Sequence, residues 1–300
     1  MKNYNHIVLV RPANFGYNFE TAQSNRFQKQ VDETDLHEKA IREFDNMVTL
    51  LQDNQLSVKV FQDSETPSKP DCIFPNNWIS FHPHHGVVLY PMEAENRRLE
   101  RRTDIIDHLQ ALSGNQQLTD LTSYETEGQY LEGTGSVIFD PVNENAYACI
   151  SSRTDARLFS MLAKELHKTP ISFEAFDLNG YPIYHTNVML SIGENSVIIC
   201  SESITDPVER IMVTERLKAS GRVVIDVNFR QMNQFCCNVL EVDNQDGEPF
   251  LIMSSSAYNG FTEEQLDQIK QRVGIIVVDI TTIENVGGGS ARCMQLGVKI

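Results

Sequence analysis

Short apolar runs alternate with amphipathic stretches along this chain. Runs rich in Val, Ile and Leu occur at 6–10, 57–61, 78–81, 86–90, 135–139, 146–150, 187–191, 196–200, 223–226, 238–242, 249–253 and 274–278. Their short length, β-branched content and bounding Gly, Pro and Asn predict strands. Residues 35–52, 95–112, 156–166, 206–220 and 262–273 predict helices; in the first, Ile41, Phe44, Met47, Val48 and Leu51 keep a helical spacing. Thr262-Glu263-Glu264-Gln265 reads as a helix start. Strand pairs joined by a short turn, followed by a helix and another strand, recur about every 50 to 60 residues, a spacing typical of repeats. No Pro/Ser-rich linker or low-complexity run divides the chain. The order predicts a single α/β domain over residues 1–300, built from about five ββαβ-like modules.

Composition narrows the partners. With 41% hydrophobic and 22% charged residues over 300 positions, core size is not limiting. A net charge of −16 repels phosphate backbones, so no nucleic-acid partner is expected. It leaves a cationic or zwitterionic small molecule acceptable. No apolar run approaches the ~20 residues of a membrane span. Met1-Lys2-Asn3-Tyr4-Asn5-His6 lacks a signal-peptide apolar region. A cytoplasmic protein without a membrane partner is expected. The six cysteines form no C-x-x-C pair and read as reduced thiols; Cys149, Cys200, Cys236 and Cys237 sit in apolar stretches that suit core positions.

Candidate chemistry concentrates at a few turns. Gly287-Gly288-Gly289-Ser290-Ala291-Arg292-Cys293 places a cysteine four residues after a glycine run, on backbone able to approach a ligand closely. A catalytic thiol and a buried thiol beside a tight turn both fit that segment. Glu132 precedes Gly133-Thr134-Gly135, where a partly buried carboxylate can have its pKa tuned, or can be a plain turn acid. His185 lies between Pro182 and an apolar run, suited to proton transfer or to simple packing. Phe74-Pro75-Asn76-Asn77-Trp78 offers two amides and the only tryptophan, as a polar pocket or an Asn-rich turn. His82-Pro83-His84-His85-Gly86 has the composition of a hairpin turn, and no metal is expected there. The charge run at 93–102 reads as a solvated helix face.

Taken in order, Glu132-Gly133, Arg153-Thr154, His185 and Gly-Gly-Gly-x-x-x-Cys293 resemble the guanidine-modifying superfamily. That superfamily comprises arginine deiminase, agmatine deiminase, dimethylarginine dimethylaminohydrolase and the amidinotransferases. The resemblance runs from Arg11-Pro12 to the cysteine segment and is closest to the citrulline-utilisation hydrolases. It implies a five-bladed α/β propeller (the pentein fold) around a central site and no metal or organic cofactor. It further implies Cys293 as nucleophile, His185 as general acid/base and Glu132 as the acid orienting substrate and histidine. Arg153 would bind the α-carboxylate of an amino-acid substrate. Homo-oligomer formation stays open.

Two departures from the family pattern bear on substrate. Where deiminases carry acids that pair with a guanidinium, this chain has Asn77 and Asn187. An amide cannot neutralise a buried cation. It does match the C=O and NH₂ of a neutral urea. The resemblance therefore implies hydrolysis of citrulline to ornithine, ammonia and carbon dioxide. An arginine deiminase or dihydrolase and an amidinotransferase are the rival enzymes. A non-catalytic propeller, like the ribosome anti-association factor of this fold, is the rival binding protein; it would not need the Cys/His/Glu set.

Overall fold

The computed structural model describes residues 3–31 and 34–300, so Met1 and Lys2 of the N-terminal stretch read above lie outside the described residues. The described strands are β1 (His6–Arg11), β2 (Val58–Gln62), β3 (Ile79–His82), β4 (Gly86–Leu89), β5 (Leu118–Asp120), β6 (Ile138–Phe139), β7 (Asn145–Cys149) and β8 (Thr169–Phe173). They continue as β9 (Leu190–Ile192), β10 (Ser196–Ile199), β11 (Val223–Asp226), β12 (Leu240–Asp243), β13 (Pro249–Ser254), β14 (Gly274–Val278) and β15 (Leu296–Val298). Among the described residues these make five three-stranded sheets: β3-β4-β5, β6-β7-β8, β9-β10-β11, β12-β13-β14 and β15-β1-β2.

Each sheet repeats one order. Its first two strands pair antiparallel and its last two pair parallel. A parallel neighbour demands a crossover, and a helix supplies it each time. The crossover helices are Leu36–Asp53, Thr103–Ser113, Ala156–Glu165, Pro207–Lys218 and Glu263–Lys270. Leu36–Asp53 buries the stripe Ala40, Phe44, Met47 and Leu51 while its other faces stay wet. Thr262 and Gln265 close a capping box at the start of Glu263–Lys270, as the sequence predicts. The last sheet joins the two ends of the chain, with Ile7 opposite Gly297 on one side and Val58 on the other. The His82–Gly86 turn is the expected hairpin connection, His82 pairing with Gly86.

The sequence reading differs from the structure in particular places. β5, β8 and β15 were not expected. β5 is only three residues long and largely exposed. β8 carries Pro170, which its edge position tolerates. The single helix expected over 95–112 is two, Glu95–Arg98 and Thr103–Ser113. The strands expected from 135 and from 187 begin later, at Ile138 and Leu190, because a helical turn comes first.

That turn is the feature that builds the site. Short helical turns precede the first strands of their sheets: Pro75–Asn77 before β3, Gly133–Ser136 before β6, Thr186–Val188 before β9 and Ala291–Met294 before β15. Before β12 the helix Phe229–Asn233 is followed by a loop that ends at Asn238 and Val239.

Candidate active site

Asn77, Glu132, His185, Asn187 and Cys293 all sit on or beside these lead-in turns, and all are buried. A helical turn reverses the chain sharply and aims a side chain away from the strand that follows. The packing of turn on turn then brings residues from distant parts of the sequence together.

His185 Nε2 lies 2.8 Å from Glu132 Oε2. Burial, the largest influence on Glu132, pushes its carboxyl up, but Arg153, the His185 hydrogen bond and charge, and Arg97 together hold it down at about 2. Burial drives His185 down to about 4, against the opposing pull of Glu132. At neutral pH the pair is therefore carboxylate and neutral imidazole. A carboxylate only accepts, so Nε2 carries the proton and donates, leaving Nδ1 with a free lone pair. Glu132 Oε1 accepts from the Glu93 backbone N–H at 3.0 Å, and its own backbone N–H donates to Ser136 Oγ at 3.0 Å. The acid is fixed at both ends.

Gly135 lets this pair meet Asn77. A Cβ at Gly135 would lie 2.4 Å from Asn77 Nδ2 and 2.8 Å from His185 Nδ1. Both are tips of candidate-site side chains, so Gly135→Ala is expected to displace them with little effect on the core. A displacement of that size lowers kcat/KM by about a hundredfold. Steady-state kinetics beside a thermal melt check this: an unchanged kcat/KM would show the close approach to be unimportant.

Cys293 is 4% exposed, and its Sγ receives the Asn238 and Asn187 side-chain amides at 3.2 and 3.4 Å. Asn238 also donates to the Asn187 carbonyl at 3.0 Å, tying the two lead-in turns to one another. Burial pushes the Cys293 thiol up, with Asn238, Arg292 and Asn187 opposing. At neutral pH the Cys293 thiol and the His185 imidazole are thus both neutral. Alkylation of Cys293 by iodoacetamide is expected to accelerate with pH up to and beyond the ordinary thiol range of ~8.5. A rate that levels off below neutral pH would instead mean a preformed thiolate.

The glycine run behaves as a docking surface for protein, not as an open approach to ligand. Gly288 ends the helix Thr281–Gly287 at φ 64°, and a Cβ there would meet Asn25 Nδ2 and Gln28 Cγ, each at 2.6 Å. Asn25 donates to Gly288 O, Gln28 to Gly287 O and the Tyr184 hydroxyl to Gly288 O. The Phe15-Gly16-Tyr17-Asn18 segment is held down beside this region, Phe15 in the core and Asn18 donating to Asp71 at 2.8 Å.

Arg153, expected to hold a substrate carboxylate, has its fork engaged by the protein. Nε and Nη2 donate to Ser24 Oγ, Nη2 also to Thr21 O, and Nη1 to Glu132 at 3.4 Å, with Glu93 at 3.3 Å from Nε. Its planar group lies 5.1 Å from the Tyr184 ring. In this arrangement it braces Glu132 against the segment around Thr21 and Ser24.

Two residues of the site were not anticipated. Asn238 is one. The other is Arg97, which belongs to the run read as a solvated helix face. It is buried, paired with Glu100 at 2.8 Å, and donates from Nη1 to Asn77 Oδ1 at 2.7 Å. The charge run gave no local sign of this because Asn77 is brought in by the tertiary fold.

Among solved structures, the chain is similar to the substrate-bound N-terminal domain of ArgZ, an arginine dihydrolase from the ornithine-ammonia cycle in cyanobacteria. The TM-score is 0.74 at 16% identity, covering 98% of both chains. Against apo ArgZ the TM-score is 0.72 at 17% identity over 97% of this chain, which spans only 40% of that longer one. A dimethylarginine dimethylaminohydrolase adduct with S-methyl-L-thiocitrulline gives 0.66 at 15% identity, covering 98% of this chain and 100% of that one. These likenesses establish the fold. No curated protein matches the chain significantly. The family model described as "N,N dimethylarginine dimethylhydrolase, eukaryotic" matches residues 11–300. With nearly its whole length so matched, the chain belongs to the N,N-dimethylarginine dimethylhydrolase family, within the guanidine-modifying superfamily.

Proposed function

We propose that this chain is a cysteine hydrolase that cleaves citrulline to ornithine, ammonia and carbon dioxide. One observation carries the choice of substrate. Asn77 Oδ1 is occupied by Arg97, while among the described residues its buried Nδ2 is a donor without a partner and Asn187 Oδ1 an acceptor without a partner. A ureido group answers both, its carbonyl accepting and its N–H donating. A guanidinium carries donors alone and would stand beside the Arg97 cation with no new counter-charge.

The reaction follows from the proton inventory. On substrate binding the Cys293 thiol proton passes to His185 Nδ1, and the thiolate attacks the ureido carbon. The tetrahedral intermediate collapses by breaking the bond to the δ-nitrogen. His185 returns its proton to that nitrogen, and ornithine leaves. The S-carbamoyl group stays on Cys293. Water, deprotonated by His185, adds to it, the carbon–sulfur bond breaks, and the thiolate regains a proton. Carbamate departs and decays to ammonia and carbon dioxide. Glu132 keeps Nε2–H occupied throughout, so that Nδ1 does the work. We read the five sheets as blades of an α/β propeller forming one catalytic domain over residues 1–300, because their lead-in turns converge on this single site.

The likeness to an arginine dihydrolase favours a second reading, in which arginine is processed twice with citrulline formed on the enzyme. The test is a product assay with citrulline, arginine and N,N-dimethylarginine offered separately, scoring ornithine, citrulline, dimethylamine and ammonia. Ornithine from citrulline supports the proposal; turnover of guanidinium substrates alone would overturn it. The double variant Asn77→Asp, Asn187→Asp is expected to move the kcat/KM ratio toward arginine by about a hundredfold. Comparing ratios removes any general penalty of placing a carboxylate near the thiol. An unchanged ratio in a folded variant would mean that these amides do not select the substrate.

A further inference from the structure

A separate cavity of about 610 Å³ opens next to the site, and none of Asn77, Glu132, Arg153, His185, Asn187 or Cys293 lines it. Arg292, the residue before Cys293, does line it, although its side chain is almost wholly withdrawn from bulk solvent at 6% exposure. Its Nη1 donates to Gln295 O at 3.0 Å. Nε and Nη2 have no protein acceptor among the described residues, and the residue lines the cavity.

The acids around this cavity are already engaged. Asp140 is held by Arg222 at 2.6 Å and Glu144 by Lys168 at 2.8 Å. Glu241 accepts from Asn3 and from the backbone and side chain of Asn195. Among the described residues no carboxylate pairs with Arg292. Burying a guanidinium without a counter-charge is strongly unfavourable. Burial accordingly lowers its pKa from the ordinary arginine value. The wall mixes apolar side chains, Phe81, Phe139, Leu190 and Ile192 among them, with polar ones that include His84, His167 and Lys299. Its volume falls in the range of small-molecule sites.

We propose that this cavity binds a small organic carboxylate, with the anion on the Nε and Nη2 donors of Arg292 and its apolar body against Phe139, Leu190 and Ile192. An inorganic oxyanion would satisfy the guanidinium but leave those apolar side chains without contact. The proposal does not depend on the reaction assigned to Cys293, since it is read by binding and not by turnover.

Isothermal titration calorimetry on the full chain tests it with benzoate, its neutral isostere benzamide, and inorganic phosphate. Benzoate is expected to bind one to one and to exceed both other probes in affinity. Arg292→Met should weaken benzoate by about tenfold or more, the loss of a charge-assisted hydrogen bond. Ile192→Trp, which crowds the proposed apolar contact surface and leaves the guanidinium in place, should weaken benzoate independently and covers the case in which the Arg292 variant does not fold. Absence of benzoate binding, equal binding of benzamide or phosphate, or benzoate affinity unchanged in folded variants would each overturn the assignment.

Discussion

Under the proposed mechanism a Cys293→Ala protein is expected to lose citrulline turnover by about four orders of magnitude or more while keeping its fold, because the proposed covalent intermediate forms on that sulfur. The other five cysteines are buried as well, and the thiols of Cys72, Cys149, Cys200, Cys236 and Cys237 are all pushed up by burial. None of them receives the two side-chain amides that Cys293 does. Truncation to alanine removes one sulfur atom and leaves Asn238 its bond to the Asn187 carbonyl at 3.0 Å. The loss should amount to about 1 kcal/mol, a shift in melting of only a few degrees. Mass spectrometry of wild-type protein quenched during turnover should find a carbamoyl group on Cys293. Turnover by the alanine variant within tenfold of wild type, an order-of-magnitude margin, would exclude Cys293 as nucleophile.

Much of this architecture is legible in the sequence, and the illegible part has a common cause. Strands buried on both faces, such as Gly86–Leu89 and Ser196–Ile199, announce themselves as apolar runs. Leu118–Asp120 does not, because its burial comes from one parallel neighbour and its side chains stay largely wet. The lead-in turns are harder still. Asn187-Val188-Met189-Leu190 reads as strand throughout because Val188, Met189 and Leu190 are all buried, yet its first residues are helical.

Aligning the modules would have exposed Asn238. Asn77, Asn187 and Asn238 each fall two or three residues before the first strand of their sheet, so one repeat position carries three site amides. Arg97 had no comparable signal. A buried ion pair with Glu100 and a bond to Asn77 are tertiary facts, and locally the residue is one more charge in a charged run. Arg153 is expected from its motif to hold a substrate carboxylate; its partners here come from Thr21, Ser24 and Glu93, which nothing in that motif specifies.

Glu132→Gln is expected to lower kcat by about three to four orders of magnitude, the cost of losing the group that fixes a catalytic histidine's tautomer. The carboxylate serves three donors at once: His185 Nε2 at 2.8 Å, Arg153 Nη1 at 3.4 Å and the Glu93 backbone N–H at 3.0 Å. A glutamine has one accepting oxygen and one donating NH₂. If the oxygen faces His185 and Arg153, the NH₂ confronts the Glu93 N–H. If it faces Glu93, the NH₂ confronts His185, which then turns its lone pair inward and presents a proton from Nδ1. The first arrangement leaves a buried donor unmade, and the second removes the base. The negative charge is lost in both. Glu132 is what raises the imidazole against burial, so without it the His185 pKa falls further below about 4 and the ring accepts the thiol proton less readily. Arg153 keeps Ser24, Thr21 O and Glu93, so the fold should persist. Single-turnover kinetics with a parallel melt separate the two effects. Loss of the carbamoylation step in a folded variant is the expected result. Near-normal carbamoylation would mean that His185 holds its tautomer without Glu132, and the carboxylate would then be left with bracing Arg153 alone.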